Sequence, residues 1–373
     1  MKLKVFCYLA FIMLLFSCKS KEEIKVGVFN RNGDSPWCIE DAVEACKIDP
    51  AIKVKVISAA EIMNGSLDDY DVILFPGGGG TSETNSLGNK GMEKVKKMVV
   101  EKGKGVVGIC AGSYILSNTP NYASFNLSGG EAIDIEHDHR GNGLAKFVLT
   151  EAGKKIFPEL AKRDTLYCQY YEGPVLIPAT GSKYKYTSLA TMMSDVHIVE
   201  GTPANMTNNR PFVTMTECGK GRVATFVGHP ECTAGMRFMV PRMIRWTLKK
   251  KLISYNAKVV RPWIYEKEIL YTKEQKALMY KYYNQLRGEK SAVIEGIDKL
   301  VKMSPWSLKK WLPGLLRHND GDVRVKAGKA LVEIERTDAI PDFEAAIKIE
   351  TNDSVKKSLE ANLAELKEMA NIK

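Results

Sequence analysis

Gly108-Ile109-Cys110-Ala111-Gly112 sets a thiol between two glycines. The apolar run Gly105-Val106-Val107 precedes it, and Ser113-Tyr114-Ile115-Leu116 follows as the start of a helix. A nucleophile at a strand-to-helix junction sits on a sharp turn, and flanking glycines let neighbouring backbone approach without a Cβ clash. The free N–H groups of the following helix favour negative charge on the sulfur. An ordinary buried cysteine beside a glycine turn would look the same in isolation. A second segment weighs against that. Far downstream, Gly219-Lys220-Gly221-Arg222 opens a strand that ends in His229-Pro230-Glu231. A cysteine nucleophile needs a base close to the thiol and a third group that orients the base. His229 suits the first role and Glu231 the second.

The elements that must position these groups alternate between strand and helix. Ile24–Phe29 reads as an apolar strand, 30–35 as a turn, and Pro36 with Trp37 opens a helix through Cys46. Residues 52–57 alternate as a strand, 71–75 form a continuous apolar strand, 91–102 an amphipathic helix, and 106–109 the strand of the elbow. This order predicts an α/β fold with a doubly wound, mostly parallel sheet. Catalytic groups in such sheets gather at the carboxyl ends of the strands, where both Pro76–Gly80 and Cys110 fall. Residues 121–228 look strand-rich, with strands expected over 187–193 and 211–217, and 237–248 begins a closing helix.

With these residues in view, the chain resembles the class I glutamine amidotransferases, whose core is flavodoxin-like. Within that superfamily it is most similar to the amidotransferase-like N-terminal domain of biotin-protein ligases. Phe75-Pro76-Gly77-Gly78-Gly79-Gly80, Gly112-Ser113-Tyr114 and Tyr170-Tyr171-Glu172-Gly173-Pro174 carry the resemblance together with the elbow and His229-Pro230-Glu231. It implies a catalytic triad of Cys110, His229 and Glu231. It implies oxyanion N–H donors from the glycine loop (Gly78, Gly79) and from Ala111, with Tyr114, Tyr171 and Glu172 lining the substrate pocket. One position departs from the pattern. Glutamine users of this superfamily carry a glutamine where this chain has Tyr114, so glutamine is not the expected substrate. No ammonia-accepting synthase module or biotin-ligase catalytic segment accompanies the site, and Gly219-Lys220-Gly221-Arg222 reads as a hairpin turn.

The N-terminus suggests a compartment. Met1-Lys2-Leu3-Lys4 is a short basic region, and the apolar stretch from Val5 to Phe16 is short for a membrane span. Leu15-Phe16-Ser17-Cys18 resembles a lipobox. Residues 1–17 then read as a lipoprotein signal peptide, Cys18 as the lipidated first residue of the mature chain, and 18–23 as a tether. The expected location is the cell envelope, on a face the sequence does not specify. The alternatives are an ordinary secretory signal or an uncleaved anchor. The chain carries 54 Lys+Arg against 44 Asp+Glu, a net charge of +10. That balance favours acidic surfaces such as lipid head groups, while no aromatic-interleaved basic patch argues for nucleic acid. Of the 8 cysteines, an exported thiol enzyme must keep Cys110 unpaired. Cys38 and Cys46 stand about two helical turns apart, too far to bridge each other. Any pairing among Cys38, Cys46, Cys168, Cys218 and Cys232 is left open.

The pattern changes near residue 256, separating an amidotransferase-like domain (24–255) from a helical region (256–373). Residues 263–311 look helical and aromatic-rich, with Tyr280, Tyr282 and Tyr283. Asp322-Val323-Arg324 with Leu331 recurs as Ser354-Val355-Lys356 with Leu363, so 311–373 resembles HEAT-like repeats, or is an incidental pair of amphipathic helices. Such repeats need a neighbour to cover their apolar faces, and the expected neighbour is the first domain. The tail holds no triad residue, so its removal is expected to leave the chemistry of Cys110 in place. Glu136-His137-Asp138-His139 carries two histidines at a spacing compatible with a metal, but reads better as a polar loop; no metal or cofactor is expected, and His197 and His318 look incidental.

Two function classes follow. One is an amidase-type hydrolase acting through a cysteinyl intermediate on a small amide, a peptide or an envelope-derived fragment. The other is a non-catalytic envelope binding or scaffold protein whose helical tail meets a protein partner.

Overall fold

The computed structural model describes residues 22–372, so the leader and Cys18 lie outside the described residues. The first half builds as β1 (Ile24–Phe29), α1 (Pro36–Lys47), β2 (Ile52–Ile57), α2 (Ala59–Met63), β3 (Val72–Phe75), α3 (Gly80–Val100), β4 (Gly105–Ile109) and α4 (Ala111–Leu116). There follow β5 (Gly130–Ala132), β6 (Asn142–Leu149), α5 (Glu151–Ile156), β7 (Leu166–Tyr171), β8 (Leu176–Pro178), β9 (Tyr186–Met192), β10 (Arg210–Cys218), β11 (Gly221–Phe226) and α6 (Met239–Thr247). The tail holds β12 (Ile269–Leu270), α7 (Lys273–Gln285), α8 (Lys290–Met303), α9 (Leu312–Leu315), α10 (Gly321–Glu333), α11 (Ile340–Ile349) and α12 (Asp353–Met369). No helix among the described residues is long and apolar enough to cross a membrane.

The main sheet is mixed. β2, β1, β3, β4 and β11 lie side by side and parallel, which is the half that carries the glycine loop and the elbow. From β11 the sheet continues through antiparallel pairings to β10, β9, β6 and β7. The strand-rich middle of the sequence therefore extends the sheet in the antiparallel sense. The central parallel strands β3 and β4 are apolar throughout and buried at every position because helices cover both faces. Ala42 and Ala45 of α1, and Val240, Met243 and Ile244 of α6, pack on one face. Leu87, Val95 and Met98 of α3, with Ile115 and Leu116 of α4, pack on the other.

α3 begins at the glycine loop, about a dozen residues before the helix expected from periodicity. Gly88, at φ 58° and ψ 176°, interrupts it. The polar Gly80–Asn89 stretch hides this first segment from an amphipathic reading.

The tail is joined to the body. β12 pairs antiparallel with β6, a strand inside a region expected to be helical. Val293, Ile297 and Leu331 of the tail share one hydrophobic core with α1 and α6. Buried Asp41 of α1 accepts from Arg336 (Nη1, 2.6 Å) and Lys309 (Nζ, 3.2 Å), and Glu44 accepts from Thr337 at 2.5 Å. The expected docking of the tail on the first domain is thus built from apolar packing and a buried ion-pair cluster.

Candidate active site

β4 delivers Cys110 into the left-handed region, at φ 51° and ψ −105°. A non-glycine residue there is strained, and the surroundings hold it in place. The Cys110 N–H donates to Phe226 O at 2.8 Å, and the Ser113 hydroxyl donates to the same oxygen at 2.7 Å. Both bonds pin the elbow to the end of β11. A Cβ on Gly112 would lie 2.2 Å from Phe75 O, so the glycine after the thiol is demanded by the neighbouring strand end. Cys110 is 7% exposed, and its Sγ donates to Tyr171 O at 3.3 Å.

His229 follows β11, and its N–H donates to Gln169 O at 2.7 Å. The imidazole and the Glu231 carboxylate are both buried, with Nδ1 and Oε1 2.7 Å apart. The other nitrogen, Nε2, has no hydrogen-bond partner among the described residues. Burial alone would lower the imidazole pKa. The Glu231 carboxylate, its hydrogen bond to the ring and the nearby Cys110 sulfur carry it up to about 10. The carboxylate and the sulfur on either side of the ring therefore favour its imidazolium form.

The glycine loop closes the site from the other side. A Cβ on Gly77 would meet His229 Cε1, and a Cβ on Gly78, which has φ 127°, would lie 2.3 Å from Asn32 O. Asn32, in the turn after β1, organises this loop: its Nδ2 donates to Gly77 O at 2.7 Å, and its carbonyl accepts from Gly79 N at 2.7 Å. That bond occupies the Gly79 N–H. Gly78 N–H has no acceptor among the described residues. Ala111, first residue of α4, has no intrahelical acceptor for its N–H.

The remaining expected residues meet at the same cavity, whose volume is about 940 Å³. Tyr114 is mostly buried beside Cys110, and its hydroxyl donates to Asp134. Asp134 in turn pairs with buried Arg140, which donates to Gly173 O at 2.8 Å and to the Tyr170 hydroxyl. Tyr171 is half exposed at the cavity. Glu172, at φ 55°, pairs with exposed His139 at 3.2 Å. The motif 136–139 is a short 3₁₀ turn and loop, and its partner Arg140, not its histidines, is the structural member. Among the described residues no group of three or more His, Cys, Asp or Glu is arranged to hold a metal. Cys38, Cys46, Cys168, Cys218 and Cys232 are all free thiols.

The tail supplies a wall that the sequence reading did not assign. Tyr271, Met279, Tyr283 and Trp306 line the cavity, and the Trp306 and His229 rings have centroids 4.8 Å apart. Trp306 follows Ser304-Pro305 after α8, and only its aromatic character marked it in the sequence.

A model of the DJ-1/PfpI family matches residues 20–138. The match takes in the glycine loop and the elbow and ends before His229. No curated protein matches the chain. Among solved structures, a ThuA-like protein from Parabacteroides merdae is 12% identical, with a TM-score of 0.45 over 63% of this chain and 92% of that one. The glutaminase domain of a Trypanosoma brucei CTPS with bound acivicin is 11% identical, with a TM-score of 0.41 over 62% of this chain and 96% of that one. A glutamine amidotransferase from Methylobacillus flagellatus is 13% identical, with a TM-score of 0.36 over 65% of this chain and 86% of that one. At such identities and TM-scores these likenesses bear on neither substrate nor activity.

Proposed function

We propose that this protein is a cysteine-nucleophile amide hydrolase acting on a small amide, a peptide or an envelope-derived fragment. The observation that carries the reading is the buried His229–Glu231 pair at 2.7 Å, with Nε2 left without a partner beside a cysteine in a strained elbow. A buried, unpartnered imidazole nitrogen is costly unless something uses it. In this reading the proton that His229 holds is the one drawn from the thiol before substrate arrives, and the Cys110 sulfur attacks the substrate carbonyl carbon to form a C–S bond. The oxygen takes the negative charge between the N–H groups of Gly78 and Ala111. Collapse breaks the C–N bond, with the His229 proton passing to the leaving nitrogen. Water, deprotonated by His229, then cleaves the thioester and restores the thiol. Tyr114, Tyr171 and Glu172 border the substrate in the cavity.

The same proposal keeps the lipid anchor at Cys18 and an envelope location, the finer likeness to the biotin-protein ligase N-terminal domain, and a HEAT-like arrangement of the last helices. An electrophilic amide or ester probe tests the chemistry. It should label Cys110 in the wild type and fail in Cys110→Ala; equal labelling of the other thiols, with Cys110 silent, would refute the hydrolase.

A further inference from the structure

We infer that Trp306 is a positioning residue for His229, so that the C-terminal helical region completes the catalytic machinery rather than serving as a separate docking module. The inference rests on the Cys110–His229 reading above and extends it to a residue with no place in the triad.

The His229 ring is held on two sides. Gly77 stands on one side, where even a methyl group would collide with Cε1 at 2.6 Å. The Trp306 indole stands against it at 4.8 Å between centroids, tilted by 53°. The indole is itself fixed, since its Nε1–H donates to Asp41 Oδ2 at 2.7 Å. The other oxygen of that fully buried carboxylate accepts from Arg336 and Lys309. Three tail residues and one residue of α1 thus set the plane of the ring that faces the base. The indole also meets Tyr171 edge-on, with centroids 6.4 Å apart, and Tyr171 O is the acceptor for the Cys110 thiol. Trp306 therefore touches both residues that fix the thiol–imidazole geometry, and it touches neither Cys110 nor Glu231 in any hydrogen bond of its own.

Two physical effects follow. An aromatic face within about 6 Å of a cation attracts it, which favours the imidazolium. The indole also shields the ring from the open cavity, and excluding water strengthens the attraction of the imidazolium to Glu231 and to the sulfur. The titratable and charged groups around the ring are Glu231 and Cys110 directly, with Asp41, Arg336 and Lys309 behind the indole. The nearby α1 thiol, Cys38, is kept neutral by burial.

The test uses the full-length chain in four forms: wild type, Trp306→Phe, Trp306→Ala and His229→Ala. The phenylalanine variant keeps a ring and loses the bond to Asp41, and thermal unfolding confirms that each variant is folded. Two quantities are read across pH 5 to 11: the rate of Cys110 alkylation by iodoacetamide, resolved from the other thiols by peptide mass spectrometry, and the His229 titration by NMR. The chain has 5 histidines, and His229→Ala identifies the signal. The expected result for Trp306→Ala is a His229 midpoint lowered by about one pH unit, with the His229-dependent inflection at high pH in the Cys110 alkylation profile lowered by the same amount. Trp306→Phe should fall between. If both Trp306 variants keep the wild-type midpoint and inflection while His229→Ala changes the Cys110 profile, Trp306 is only a wall and the inference fails alone. If His229→Ala leaves the Cys110 profile unchanged, the thiol–imidazole reading fails, and the inference with it.

Discussion

A methyl group on Gly77 would stand 2.6 Å from Cε1 of His229. The glycine-rich loop therefore admits the base to its place, besides offering N–H groups to an oxyanion. Gly77→Ala should displace the imidazole from the thiol. A misplacement of about 1 Å costs on the order of 100-fold in rate, so probe labelling of Cys110 should slow by about that factor while the fold persists. Labelling at the wild-type rate would show that the loop yields instead.

The imidazolium of His229 has a pH signature. Its pKa is raised, to about 10, against an unfolded value of about 6.5. The stabilisation from the pair is therefore fully present below the unfolded value and lost as pH rises through about 10. Glu231→Gln removes the carboxylate and leaves burial opposing the charge, so the midpoint should fall well below 10. NMR titration of the imidazole reads both; a midpoint unaffected by the substitution would show that Glu231 does not orient a charged base.

Asp41 makes the complementary prediction at low pH. Burial opposes its charge, but the Arg336 guanidinium and Lys309 ammonium hold its carboxyl below the usual range. Its contribution is present above about pH 3.9 and is lost as pH falls through the lowered value. Asp41→Ala leaves two buried cations without their shared partner, which should cost about 3–5 kcal/mol in denaturant unfolding. Removing the chain from residue 256 onward should destabilise the remainder further, at about 25 cal/mol per Å² of apolar surface exposed. Limited proteolysis checks it: rapid cleavage near 256–262 that leaves a core of undiminished stability would mean an independent module.

Glutamine should be a poor substrate. Tyr114 is mostly buried beside Cys110 and offers no amide, and its hydroxyl is engaged by Asp134. Brisk ammonia release from free glutamine, abolished by Cys110→Ala, would return the amidotransferase reading.

Cys18→Ala should abolish lipid attachment and release the protein from the membrane fraction. Retention after a high-salt wash would point to another anchor.

Much of this site was legible because its signals are local. The Cys110 elbow, the glycine loop, and His229 with Glu231 each announce themselves within a few residues, the apolar strand at 105–109 follows from burial on both faces, and 52–57 alternates because only part of it is buried. Asn32 gives no such signal, because a turn asparagine has many uses and only the fold brings it to Gly77 and Gly79. The Tyr114–Asp134–Arg140 network stayed hidden inside a segment whose histidines drew attention to metal. Trp306 and Asp41 lie 265 positions apart, and no periodicity relates them. The two residues of β12 are too few to register as a strand.

That separation along the chain has a temporal meaning. The elbow and the glycine loop belong to early segments with parallel neighbours, and a partly made chain already contains them. The wall over His229 arrives only with residues 304–310, and Arg336 then secures the carboxylate behind it. Contacts of such long range form late in folding, after the loops they close have been ordered. An unfinished or truncated chain therefore carries its thiol and its base without the wall that seats them, and the site is complete only once residues 304–336 are in place.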